Sequence, residues 1–177
     1  MMFRELLLSK LTPFGNKKKL LRYSQNTDDI IITILKAHKI YESDYDKICL
    51  YFWKGDINKT CQFIWEFMKD NINYRIEPDT RQSVKSPSAI ISTGIYKSDY
   101  NDCKHYSQLA GGILSALCRK GKIINWCYRF ANYKLFNTQP HHVFIVVNCA
   151  GREIWIDAVL NSYNNKKAYI NKIDKKI

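Results

Sequence analysis

Residues 101–121 read NDCKHYSQLAGGILSALCRKG, and they set the class of the fold. Asn101 or Asp102 offers a side-chain oxygen to cap a helix, and Gly121 offers a stop. Between them Tyr106, Leu109, Ala110, Ile113 and Leu117 recur at helical spacing, giving one apolar stripe. Ala110, Gly111, Gly112, Ser115 and Ala116 are all small. Two glycines in a solvated helix cost about 2 kcal/mol against alanine. The pair therefore predicts a buried helix that a sheet or a second helix approaches closely. Cys103 falls in its first turn. Free amide groups and the helix dipole there stabilise a thiolate and can hydrogen-bond an oxyanion formed beside it.

Downstream the apolar period changes to two. Residues 123–133, 143–148 and 153–159 are rich in β-branched and aromatic side chains and read as strands. Asn148-Cys149-Ala150-Gly151 is a tight turn joining the last two into a hairpin. With Asn148 facing Gly151, His142 pairs directly with Asp157, their Cβ atoms about 5 Å apart. Phe144 then pairs with Trp155. A slip by two residues leaves His142 and Asp157 diagonal, and a slip by one separates them. A thiolate nucleophile needs a proton acceptor, and the acceptor needs orienting. Cys103, His142 and Asp157 can supply those three roles. A carboxylate inside an apolar strand also requires a partner on solvation grounds alone.

Upstream, Thr27 with Asp28 and Asp29 opens a segment in which Ile31, Ile34, Leu35 and His38 follow helical spacing. Its β-branched residues leave a strand open. Tyr45, Ile48, Cys49 and Phe52 repeat the spacing and stop near Gly55. Asp56 starts a further helix with Ile57, Cys61, Ile64, Trp65 and Met68 on one face. Residues 72–76 are extended. Residues 77–101 form a long polar connection broken at Pro78, Pro87 and Gly94, of the kind that flanks a functional site. Helices first and antiparallel strands afterwards make an α+β domain. The expected division is a basic arm over 1–26, a domain over 27–160 and a polar, lysine-rich tail over 161–177.

Composition narrows the classes. At 177 residues, 46% of them apolar, the chain buries roughly 70% of its unfolded surface and is not disordered. No apolar run reaches the roughly 20 residues of a membrane span, and the opening lacks a secretory signal. The expectation is a soluble, cytoplasmic protein. The net charge of +12 comes from 21 Lys, seven Arg and 16 acidic residues. It favours loose, salt-sensitive contact with nucleic acid, acidic lipid or acidic proteins. The joint abundance of Lys, Asn, Ile and Tyr also follows from AT-rich codons without any ligand. The six cysteines include no C-x-x-C pair, so neither zinc nor a disulfide framework is expected.

From about Ile57 to Leu160 the chain resembles the transglutaminase-like superfamily, in its bacterial and phage type of cysteine peptidase. The residues that carry the resemblance are Ile72-Asn73-Tyr74 after a helix and a proline-led stretch from Pro87 into Tyr100-Asn101-Asp102-Cys103. The small-residue helix follows, then His142-Val143-Phe144-Ile145-Val146-Val147, then Trp155-Ile156-Asp157. The chain departs from the pattern at Asn101, where the family usually has Gly, and at His105, which replaces a common acidic residue. His141 adjoins His142, and His105 and His141 read as structural or surface residues.

The resemblance implies a papain-like, transglutaminase-core fold, with a buried Cys-bearing helix packed on a C-terminal antiparallel sheet. Cys103 is then the nucleophile, His142 the general base and acid, and Asp157 the residue that orients His142. No cofactor or metal is implied. The expected activity is acyl transfer from a protein or peptide amide through a thioester. Peptidase or amidase hydrolysis is preferred over glutamine acyl transfer, because the added domains of animal transglutaminases are not seen. The alternative expectation is a catalytically silent binding or structural module of the same fold, with acidic partners or nucleic acid.

Overall fold

The computed structural model describes residues 2–13, 19–20, 27–78, 82–92, 101–136 and 139–177. The basic run at 16–18, the polar 24–26 and Gly94 lie outside the described residues. Helices come first: α1 (Phe3–Lys10), α2 (Thr27–Ile40), α3 (Glu42–Phe52) and α4 (Ile57–Asn71), with the two-residue strand β1 (Lys19–Leu20) between the first two. Next come β2 (Ser83–Val84), α5 (Pro87–Ser92) and α6 (Cys103–Arg119). The strands β3 (Asn125–Asn132), β4 (His142–Cys149), β5 (Arg152–Ile156) and β6 (Asn171–Lys175) follow. They form one antiparallel sheet in the order β5-β4-β3-β6, so the molecule is α+β. Among the described residues no helix is long and apolar enough to cross a membrane.

The β-branched residues of α2 do not prevent a helix. Ile31, Ile34, Ala37 and His38 give it a buried face, and packing outweighs the propensity difference. Asp56 caps α4 by accepting the Lys59 amide at 2.9 Å. Pro87 begins a short helix inside the long connection, since at a first helical position its missing N–H leaves no bond unmade.

The core is organised around α6. A Cβ on Gly112 would lie 2.2 Å from the Tyr45 ring of α3, and one on Gly111 would lie 2.6 Å from the Tyr128 hydroxyl of β3. One glycine admits a helix and its neighbour admits the sheet.

Two segments contribute more than the sequence suggests. In the 1–26 arm, Leu7 is fully buried and the Phe3 ring packs 5.6 Å from Phe52. In the 161–177 tail, residues 171–175 form an edge strand whose Asp174 pairs with Arg129. Arg129 is buried in β3, reaches Glu153 on β5 as well, and lies against the rings of Trp155 and Tyr169.

The hairpin register corrects the sequence reading by two residues. Cys149 pairs with Arg152, leaving Ala150 and Gly151 as the turn, with φ of 48° and 76°. Positive φ at both central positions matches the turn to the sheet's twist, and this preference displaces the alternative in which Asn148 faces Gly151. Trp155 therefore pairs with Val146, not Phe144, although the Phe144 and Trp155 rings remain 4.7 Å apart. A shift by two keeps every side chain on its own face. β5 ends at Ile156, so Asp157 stands just past the strand.

Candidate functional site

Asp102 caps α6, accepting the Lys104 amide at 3.2 Å, so Cys103 is the first residue of the helix. Its side chain is partly exposed, and all six cysteines are free thiols. Four residues on, Ser107 donates to the Val143 carbonyl at 2.8 Å. Positions 103 and 107 share a helix face. The bond therefore sets the first turn of α6 beside the start of β4, where His142 stands.

His142 Nε2 lies 2.7 Å from Asp157 Oδ2. The other carboxylate oxygen accepts the Val159 amide at 3.2 Å, and the Asp157 carbonyl accepts the Trp65 indole N–H at 3.0 Å. Both ends of the residue are thus fixed, one by its own turn and one by α4. Burial works against a charged imidazole at His142. The hydrogen bonds and negative charges of Asp157 and Cys103 outweigh it and push the pKa up to about 10. With Nε2 committed to the carboxylate, Nδ1 is the nitrogen left to bond the sulfur. The Phe144 ring, 5.8 Å away, floors the imidazole.

The three residues expected from the sequence are therefore neighbours, with the diagonal geometry of a two-residue slip. Tyr74, which the sequence reading used only as a motif marker, joins them. The Arg75 amide donates to the Asn101 carbonyl at 2.9 Å, so its segment runs beside the entry to α6. The Tyr74 ring lies 5.7 Å from that of Tyr106, one turn along α6 from Cys103. The Tyr106 hydroxyl donates to the Ile72 carbonyl at 2.6 Å and holds the segment there. Among the described residues the Tyr74 hydroxyl has no hydrogen-bond partner. Burial first, then the charges of Cys103, Asp102 and Asp157, push its pKa up and keep it a proton donor.

Beneath Cys103 lies a buried polar cluster that the sequence did not announce. Glu77 accepts the Ser83 amide at 2.6 Å and the Ser83 hydroxyl, and pairs with Lys104 at 2.9 Å. The Lys104 ammonium also pairs with Asp102. His105, read as structural or surface, is fully buried at 3.1 Å from Asp102. Burial disfavours the charged carboxylate of Asp102, but the bonds to His105 and Lys104 hold it well below the usual carboxylate range. Burial in turn lowers the pKa of His105 despite that carboxylate. Glu77, Asp102 and His105 present three ligand atoms within 4.8 Å of one another. The Lys104 ammonium already lies against both carboxylates and supplies the positive charge a metal would bring.

A solved structure from Parabacteroides distasonis ATCC 8503, described as a "putative protease", shares this fold. The TM-score is 0.53 and the identity 13%, over 72% of this chain. This chain spans 25% of that one's length. At that identity the likeness is one of fold. No family model matches the chain, and no curated protein matches it in sequence.

Proposed function

We propose that the protein is a cysteine enzyme with a papain-like, transglutaminase-type core, and that Cys103, His142 and Asp157 form its catalytic triad. The observation that carries this reading is the placement of the His142 imidazole, 2.7 Å from the Asp157 carboxylate and beside the Cys103 sulfur, two groups that favour its charged form. An imidazolium beside a thiolate is the resting state of a thiol nucleophile.

The Cys103 sulfur attacks the carbonyl carbon of an amide, forming an S–C bond and an oxyanion. The Cys103 backbone N–H and the Tyr74 hydroxyl donate to that oxygen. As the C–N bond breaks, His142 gives its proton to the departing amine and a thioester remains. Water then adds to the thioester, with His142 accepting its proton, and the acid departs from the restored thiolate. Asp157 keeps the imidazole oriented and its charge balanced throughout. The protease description of the structural neighbour favours water over a second amine as acceptor, so peptide or amide hydrolysis is the preferred reaction.

Alkylation with iodoacetamide, read cysteine by cysteine by peptide mapping across pH, tests the reading. Cys103 is expected to label selectively at mildly acidic pH, and His142→Ala to slow that labelling at least tenfold. Equal labelling of all six thiols, or indifference to His142→Ala, would sink it.

A further inference from the structure

One flank of His142 is crowded with cations. Lys134 leaves the end of β3 through a turn in which its amide donates to Asn132 Oδ1 at 2.9 Å. His141 returns to the same strand end, its amide donating to the Ala131 carbonyl at 3.1 Å. Lys167 comes from the segment after β5 and places its ammonium 4.7 Å from the centre of the Tyr133 ring. That ring lies 5.9 Å from the imidazoles of both His141 and His142. Lys134, His141 and Lys167 are all exposed. Among the described residues none of them has an acidic partner. Asp157, the carboxylate at this place, is taken up by His142. The Tyr133 hydroxyl is buried and has no hydrogen-bond partner among the described residues. Burial first, then the charges of Lys134, His142 and Lys167, hold the pKa of His141 down, in keeping with the ring and ammonium distances around Tyr133.

Like charges brought together without a counter-ion raise the free energy of the empty site, and an anion relieves it. In an acyl transfer the proton from His142 goes to the departing amine, so groups beside His142 flank the amine-bearing half of the substrate. We propose that Lys134, His141 and Lys167 form an anion subsite that receives an acidic side chain on the amine side of the bond being broken. The inference rests on the role given to His142 above. It makes the preferred substrate an acidic peptide.

The test is a titration of a fluorescein-labelled oligoglutamate peptide followed by anisotropy, with the equivalent oligoglutamine peptide as reference. The wild-type protein is expected to prefer oligoglutamate. The double variant Lys134→Gln/Lys167→Gln is expected to lose about five- to tenfold in affinity. Lys36→Gln/Lys39→Gln, the same charge change on exposed positions of α2, is expected to lose less than about twofold. Oligoglutamate should also slow alkylation of Cys103 in wild type but not in the Lys134/Lys167 variant. Equal losses in the two double variants would overturn the subsite, because net charge alone would then explain binding. So would tighter binding of oligodeoxythymidine than of oligoglutamate, or peptide binding that leaves alkylation unchanged. If Cys103 does not label at all, the acyl-transfer reading fails by itself, and the anisotropy still decides whether the three cations bind an acidic chain.

Discussion

Two histidines, one buried and one half-buried, stand beside tyrosines in this molecule and are driven toward opposite charge states. His38, on α2, has its Nδ1 3.1 Å from the Tyr128 hydroxyl and packs near the rings of Tyr45 and Trp126. Burial, helped by the charge of Arg119, lowers its pKa to about 4. His142 is largely withdrawn from water too, yet its pKa rises to about 10 because Asp157 and Cys103 lie against it. Loss of water disfavours the charged ring in both places. What differs is the neighbour, a neutral phenol in one and a carboxylate with a sulfur in the other. The tyrosines of the two places differ as well: the Tyr128 hydroxyl is engaged by His38, whereas that of Tyr74, on the Cys103 side of the His142 site, is left with a hydrogen to donate.

The contrast is broken most severely by Asp157→Asn. Without the carboxylate, Cys103 alone opposes burial, and the His142 pKa should fall from about 10 by more than about one unit. NMR titration of the imidazole reads this directly, and Cys103 alkylation at neutral pH should fall with it. A pKa unchanged in that variant would show that the carboxylate is not a cause.

Tyr74→Phe separates the two tyrosines. Acylation of Cys103 by p-nitrophenyl acetate passes through an oxyanion and should slow by about 10²–10³-fold. Alkylation by iodoacetamide forms no oxyanion and should keep its rate. Equal effects on both reactions would remove Tyr74 from the donor role.

The histidines also predict opposite slopes of stability against pH. The folded pKa of His38, about 4, lies below its unfolded value of about 6.5. Its neutral form therefore contributes in full above about 6.5, and roughly 3 kcal/mol is lost as pH falls towards 4. His142 is raised, so its contribution is complete below about 6.5 and is lost as pH climbs towards 10. Urea unfolding of wild type against His38→Gln should show the acid-side difference closing as pH falls, and an unchanged difference would contradict it. Tyr128→Phe is the mildest change. It removes one hydrogen bond to His38, should cost about 1 kcal/mol, and should leave Cys103 labelling as it was.

The helix that carries Cys103 was legible because its cap, apolar stripe and small residues all agree. The strands were legible from their period of two. The hairpin register was not, because the alternation of side chains is the same for registers two apart, and turn dihedrals had to decide between them. The edge strand β6 escaped because Asn171-Lys172-Ile173-Asp174-Lys175 has one apolar residue and otherwise reads as solvated chain. Its attachment depends on Arg129, a charge inside β3 whose partners are 24 and 45 residues away. Glu77, Lys104 and His105 escaped for the same reason. Charged residues read as surface until a partner distant in sequence is known, and Lys104 sits 27 positions from Glu77. Tyr74 was visible as a letter in a motif, but its place beside Cys103 comes from a backbone bond to Asn101 that no local pattern predicts.

The contacts at Gly111 and Gly112 reach beyond packing. Each hydrogen there stands where a methyl would run into an aromatic ring, so even alanine at either position must shift the helix or the ring. Reacting atoms must meet at about 3 Å, and a displacement of 1 Å is enough to cost about a hundredfold in rate. Damage to the chemistry can thus begin two turns away from it, in a residue with no side chain of its own, and whoever sets out to remodel this scaffold must first make room at Tyr45 and Tyr128.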